Sequence, residues 1–168
     1  MAIVSSAGAG SRAAGRATIL QLRAPQSTAA AVELEAARLV PVSPVPVVIS
    51  SRLDLALASD AAGVHLPERD LSTADARKLM GHRIVGRSVH SIEAAQQAER
   101  EGADYVVFGP VWASASHPDV APVGLDALAQ VARSVRIPVL AIGGVNEERV
   151  AEVHRAGAAG FAAIGMFS

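Results

Sequence analysis

Ile137-Pro138-Val139-Leu140-Ala141-Ile142-Gly143-Gly144-Val145-Asn146 reads as a strand, a turn and the start of a helix. The apolar run lacks the alternation of a strand with one wet face, which predicts a strand buried on both sides. Two glycines end it and Asn146 follows as a helix cap. The same order recurs along the chain. Apolar runs at 18–22, 45–49, 63–66, 83–85, 104–108 and 160–164 read as strands, with a weaker run at 2–5. Helical stretches fall between them: 27–40 behind Ser27, 72–80 behind Ser72, 91–101 behind Ser91, 125–135, and 146–156 behind Asn146. Pro41, Pro44 and Pro46 stop the first of these, and Gly81, Gly102 and Gly157 follow three others as left-handed stops do.

Seven or eight β-α units in succession predict an α/β protein with a parallel sheet, either doubly wound or closed as a (β/α)8 TIM barrel. No Gly-x-Gly-x-x-Gly follows a strand, and the number of units favours the barrel. At 168 residues the chain is shorter than the roughly 200 usual for that fold. The shortfall is expected at both ends, with little helix between the first two strands and none after the last. Residues 1–16 are therefore expected to be a flexible or incomplete segment, with the barrel domain over 17–168. An absent first strand would leave an open sheet edge, which a homodimer would cover.

Composition narrows the classes. Lys and Arg number 15 against 16 Asp and Glu, a net charge of −1 that gives no general basic attraction to nucleic acid or anionic membrane. No cysteine means no disulfide, no thiolate metal site and no thiol nucleophile. The chain is 51% hydrophobic but only 3% aromatic, the balance of buried strands alternating with alanine-rich helices. No apolar run approaches the ~20 residues of a membrane helix. The first 32 residues lack Asp and Glu yet carry Arg12, Arg16 and Arg23, as transit peptides and plain flexible segments both do. A cytoplasmic location is expected.

In such a barrel the site forms at the carboxyl ends of the strands. That selects Gln21, Arg23, Ser50, Arg52, His65, Arg87, Ser88, Gly109, Gly143, Gly144 and Gly165. The Gly143-Gly144 turn lets backbone N–H groups approach a phosphate, and equally serves as a tight turn. Arg23, Arg52 and Arg87 would converge on phosphate oxygens, or pair with carboxylates nearby. His65, His90 and His117 are candidate proton carriers, with His65 and His117 favoured for catalysis, although His65 sits inside an apolar strand where a satisfied structural histidine is expected and His90 begins a helix where capping is the alternative. Asp70 is a candidate Mg²⁺ ligand without an obvious second carboxylate. The long 112–123 loop reads as a lid.

These residues also carry a resemblance. Ile19-Leu20-Gln21-Leu22-Arg23, Val48-Ile49-Ser50-Ser51-Arg52-Leu53-Asp54-Leu55-Ala56 and Gly63-Val64-His65-Leu66 occur in order. Gly86-Arg87-Ser88-Val89-His90-Ser91, Gly102-Ala103-Asp104-Tyr105-Val106-Val107-Phe108-Gly109-Pro110-Val111 and Ile137-Pro138-Val139-Leu140-Ala141-Ile142-Gly143-Gly144 follow. From about residue 17 onward the chain resembles the thiamine phosphate synthase/TenI superfamily, and the Gly86–Ser91 stretch looks closer to the TenI branch. The resemblance implies a (β/α)8 barrel that binds a phosphorylated thiazole and tautomerises it. One alternative is a synthase joining a hydroxymethylpyrimidine diphosphate to a thiazole phosphate, with Mg²⁺ and release of pyrophosphate. A second is a non-catalytic binder of thiamine phosphate.

Departures from the family pattern bear on that choice. The synthase pattern has Lys where Pro25 stands, Asn-Asp where Ser50-Ser51 stand, and Lys where His117 stands. Asp70 matches the remaining Mg²⁺ aspartate. The proton-transfer histidine of the TenI branch matches Pro110, which leaves His117 or His65 as the substitute.

Overall fold

The structure, a computed structural model, describes residues 1–114 and 120–167. Eight strands run β1 (Ala2–Val4), β2 (Leu20–Leu22), β3 (Val47–Ser50), β4 (Gly63–Leu66), β5 (Ile84–Val89), β6 (Tyr105–Phe108), β7 (Val139–Ile142) and β8 (Gly160–Ala162). Each pairs in parallel with the next. A bridge between Ala2 and Ala163 closes the ring: Ile3 N–H donates to the Ala163 carbonyl at 2.9 Å and Ala163 N–H to the Met1 carbonyl at 3.2 Å. The connecting helices are α1 (Ala7–Ala13), α2 (Ala29–Leu39), α3 (Leu53–Ala58), α4 (Thr73–Met80), α5 (Ile92–Arg100), α6 (Gly124–Ser134) and α7 (Val150–Arg155). The expected (β/α)8 barrel is present.

Local chemistry starts the helices. Ser6, Thr28, Ser72 and Ser91 each accept an N–H of the first turn through the side-chain oxygen. The cap of α2 is thus Thr28 rather than Ser27. Asn146 caps a short 3-10 turn that runs into α7.

Residues 1–16, expected as a flexible or incomplete segment, instead form β1 and α1. The weak apolar run at 2–5 is enough for a strand because Ala2, Ile3 and Val4 are all buried between neighbours. Helix α1 is held by packing more than by propensity, with Gly10 against the fully buried Leu39 of α2. Since β1 is paired on both sides, the open edge that argued for a homodimer is filled within the chain.

Strand alternation sorts the apolar side chains into an inner and an outer layer. Met1, Ile3, Tyr105, Val107 and Ala162 fill the barrel interior. Two larger clusters lie between sheet and helices, one on β1–β5 and one on β5–β8. Leu20, Leu22, Leu39, Ile49, Leu66 and Leu128 are nearly inaccessible, and burying each is worth about 1.5–3 kcal/mol. Both faces of the strands are therefore covered, as the unbroken apolar runs implied.

Candidate functional site

Alternation also places the polar side chains. On β2, Gln21 faces inward between Leu20 and Leu22; on β3, Ser50 does; on β4, His65; on β5, Gly86 and Ser88. Register brings them together, with Ser50 beside His65, His65 beside Gly86, and Gly86 beside Tyr105. Gln21 Nε2 donates to Ser50 Oγ at 3.3 Å. His65 Nδ1 lies 3.0 Å from Tyr105 Oη, and Nε2 lies 2.9 Å from Ser88 Oγ. The Tyr105 ring reaches His65 by crossing Gly86, where a Cβ would come within 2.1 Å of Tyr105 Cζ. Glycine is required there to let the ring pass.

His65 is 3% exposed and both ring nitrogens are engaged. Burial, and then the charges of Arg87 and Arg23, lower its pKa from 6.5 to about 3, so the ring is neutral. Burial likewise raises the Tyr105 phenol and keeps it protonated. His65 is thus a fixed interior group, and its expected role as a mobile proton carrier does not match its placement. His117 lies outside the described residues.

Of the two readings left open for the three arginines, Arg52 takes the pairing with a carboxylate and the three do not converge. Arg52 is turned aside by Ser51, whose φ of 62° breaks strand alternation, and its guanidinium forms a two-pronged pair with Asp54 at 2.5 and 2.8 Å. That hydrogen-bonded pairing lowers the Asp54 pKa to about 2. Arg87 points outward because Gly86 and Ser88 point in. It donates to the carbonyls of Glu68, Asp70 and Leu71, which fixes the loop after β4. Arg23, two residues beyond Gln21 and on the same side, has no charged partner among the described residues. It lines a cleft of about 230 Å³ with Ser5, Arg12, Ile164 and Phe167, at the carboxyl ends of β1, β2 and β8. Arg12 and Ser5 were not singled out from sequence as site residues; the glycine- and alanine-rich run around them gave no sign of a helix facing the mouth.

The glycine turn after β7 is partly structural. Gly143 (φ 91°) and Gly144 (φ 65°) need left-handed backbone. A Cβ on Gly143 would meet Pro110 at 2.5 Å, and one on Gly144 would meet the Ala113 carbonyl at 2.6 Å. The loop after β6 is bonded to this turn through Trp112 N–H to the Gly143 carbonyl, 3.1 Å. Arg149 adds a bond to the Gly144 carbonyl at 2.6 Å while its guanidinium stacks 5.0 Å from the Trp112 ring centre. The N–H groups of Gly144 and Val145 find no hydrogen-bond partner among the described residues, so they are available to an anion. Gly109 packs its α-carbon against the Ile142 carbonyl, and Gly165 faces open space.

Asp70 does not make a metal site by itself. Its carboxylate accepts Leu71 N–H at 2.7 Å, and nearby Glu68 is occupied by His90 through both carboxylate oxygens. Among the described residues no three His, Cys, Asp or Glu side chains gather as metal ligands. Nor is any described helix long and apolar enough to cross a membrane.

Comparison with known proteins gives this geometry a context. The model of the thiamine monophosphate synthase family, TMP-TENI, matches residues 7–167. A thiamine-phosphate synthase of Chloroflexus aurantiacus is 44% identical over 154 residues, covering 89% of this chain and 71% of that protein. One from Roseiflexus sp. is 46% identical over 122 residues, covering 71% of this chain and 52% of that protein. The chain thus spans between half and three-quarters of these relatives' length. The structure of a thiamine phosphate pyrophosphorylase from Pyrococcus furiosus superposes with a TM-score of 0.88 at 31% identity, over 99% of this chain and 86% of that one.

Proposed function

The chain belongs to the thiamine monophosphate synthase family, and from that premise we propose that its barrel mouth joins a hydroxymethylpyrimidine diphosphate to a thiazole phosphate. The observation that carries this reading is the 44% identity to a named thiamine-phosphate synthase over 89% of the chain. The reaction forms a carbon–nitrogen bond from the pyrimidine methylene to the thiazole nitrogen and breaks the methylene–oxygen bond, so pyrophosphate leaves with the electron pair. Charge builds on the leaving oxygens, and preorganised donors there lower the barrier. Arg23 supplies a cation without a carboxylate partner among the described residues, with Ser88 on the inner face of β5 as a second donor. Gln21, braced on Ser50, orients a heterocycle at the barrel floor. The N–H groups of Gly144 and Val145 take the phosphate of the thiazole, beside the open Gly165.

A tautomerase has less support. The relatives named above are synthases, and Pro110 stands where the resemblance places a proton-transfer histidine. His65 has both ring nitrogens occupied. The described carboxylates do not fit a Mg²⁺ site built by protein alone, since Asp70 has no second carboxylate free to join it. No step is therefore routed through the ion.

Calorimetric titration with thiamine phosphate, with thiamine and inorganic phosphate as controls, tests the site. Binding that needs both the heterocycle and the phosphate is the expected result. Equal affinity for thiamine and its phosphate would overturn the placement of the phosphate at the Gly143-Gly144 turn.

A further inference from the structure

The buried set Tyr105, His65 and Ser88 has a direction. Tyr105 is 6% exposed, and the only partner its hydroxyl has among the described residues is His65 Nδ1, at 3.0 Å. Were Nδ1 to carry the proton and donate, the phenolic hydrogen would be left buried without an acceptor, at a cost of about 1–3 kcal/mol. The phenol is satisfied when it donates to Nδ1. A neutral imidazole carries one hydrogen, so Nε2 then holds it and donates to Ser88 Oγ at 2.9 Å. A ring protonated at both nitrogens would again orphan the phenol. With its oxygen accepting from His65, the Ser88 hydroxyl keeps its own hydrogen for something else. Ser88 is half-buried on the inner face, near the carboxyl end of β5. The inner face at that end of β5 leads to the barrel mouth.

We propose that Tyr105 and His65 are positioning residues that leave the Ser88 hydroxyl hydrogen free to be donated to an anionic oxygen of the ligand in the mouth. Two consequences follow from the polarity. His65 does not act as a base toward Ser88, because the nitrogen facing Ser88 already bears a proton. Ser88 keeps its hydrogen for a ligand that offers an acceptor, such as a phosphate or diphosphate oxygen. Gly86 is the third member, since it lets the Tyr105 ring cross β5. The identity of the acceptor rests on the synthase reading, whereas the polarity rests on hydrogen bonding alone.

Nitrogen-15 NMR of the His65 ring tests the polarity whatever the ligand. A protonated Nε2 and an unprotonated Nδ1 at neutral pH are expected, and the opposite tautomer would overturn the proposal. In Tyr105→Phe, a fold checked by circular dichroism should persist, and the fixed tautomer should give way to the other or to a mixture. Pyrophosphate, titrated calorimetrically, should bind about tenfold more weakly to Tyr105→Phe and to Ser88→Ala, one hydrogen bond in each case. The double variant should lose little more than either single one, because all act through one contact. An unchanged Nε2–H tautomer in Tyr105→Phe would overturn the positioning role of Tyr105. Fully additive losses would overturn its action through Ser88. Absence of pyrophosphate binding by the unaltered protein would count against the synthase reading, while the tautomer would still decide the relay.

Discussion

Tyr105 on β6 and His65 on β4 touch across a strand that separates them: the hydroxyl and Nδ1 are 3.0 Å apart, and the rings stack with centres 5.6 Å apart. The contact exists because Gly86, in register with both, has no side chain. Gly86→Ala would place a methyl 2.1 Å from Tyr105 Cζ, and such overpacking costs about 1–3 kcal/mol. A fall in melting temperature of about 2–4 °C per kcal/mol is expected. Adding Tyr105→Leu should recover part of that loss, and thermal unfolding of the two variants checks it. Equal instability with and without the Tyr105 change would contradict the crossing.

Acid should weaken the fold through His65. Its folded pKa, about 3, lies below the unfolded value of 6.5, so between these values the unfolded chain binds more protons. Its stabilising contribution is present above pH 6.5 and is lost as pH falls toward 3, with a slope approaching about 1.4 kcal/mol per pH unit. His65→Asn should be less stable at neutral pH yet show a shallower decline below pH 6. Urea unfolding at several pH values measures both slopes. Parallel slopes would show that another group carries the acid sensitivity.

Arg23 and Arg52 should separate in function despite similar spacing after their strands. Arg23→Ala removes a cation that has no charged partner among the described residues and should lower pyrophosphate affinity by about tenfold to a hundredfold, a charge-assisted bond being worth about 1.5–3 kcal/mol. Arg52→Ala removes a partner of exposed Asp54 and should leave affinity within about twofold. Titration of both variants decides, and equal losses would favour the convergence of arginines that the sequence left open beside carboxylate pairing.

Arg149 ties the glycine turn to the loop after β6 through the Gly144 carbonyl and the Trp112 ring. Arg149→Ala should leave the barrel folded and raise KM for the phosphate-bearing thiazole more than it lowers kcat. A fall in kcat alone would place Arg149 in the chemical step instead.

The strands at 63–66 and 104–108 and the caps at Ser72 and Ser91 were legible because each is a local pattern: an unbroken apolar run, or a hydroxyl ahead of a helix. The position of Gln21 and Arg23 at a strand end was legible for the same reason. The fates of Arg52 and Arg87 were not, since a guanidinium chooses between ligand and carbonyl according to loop geometry that spacing does not encode. Helix α1 escaped notice because its Ala, Gly and Ser residues carry little pattern, and Leu39 packing on Gly10 supplies what the local sequence lacks. Tyr105 was visible as part of a buried strand, but its reach to His65 depends on the register of three strands.

The central claim is tested most directly by mixing the protein with hydroxymethylpyrimidine diphosphate and thiazole phosphate, with and without Mg²⁺, and following pyrophosphate and thiamine phosphate together. Equimolar appearance of both products, dependent on both substrates and reduced in Arg23→Ala, is the predicted result. Saturating binding of both substrates with no thiamine phosphate formed under either condition would contradict it.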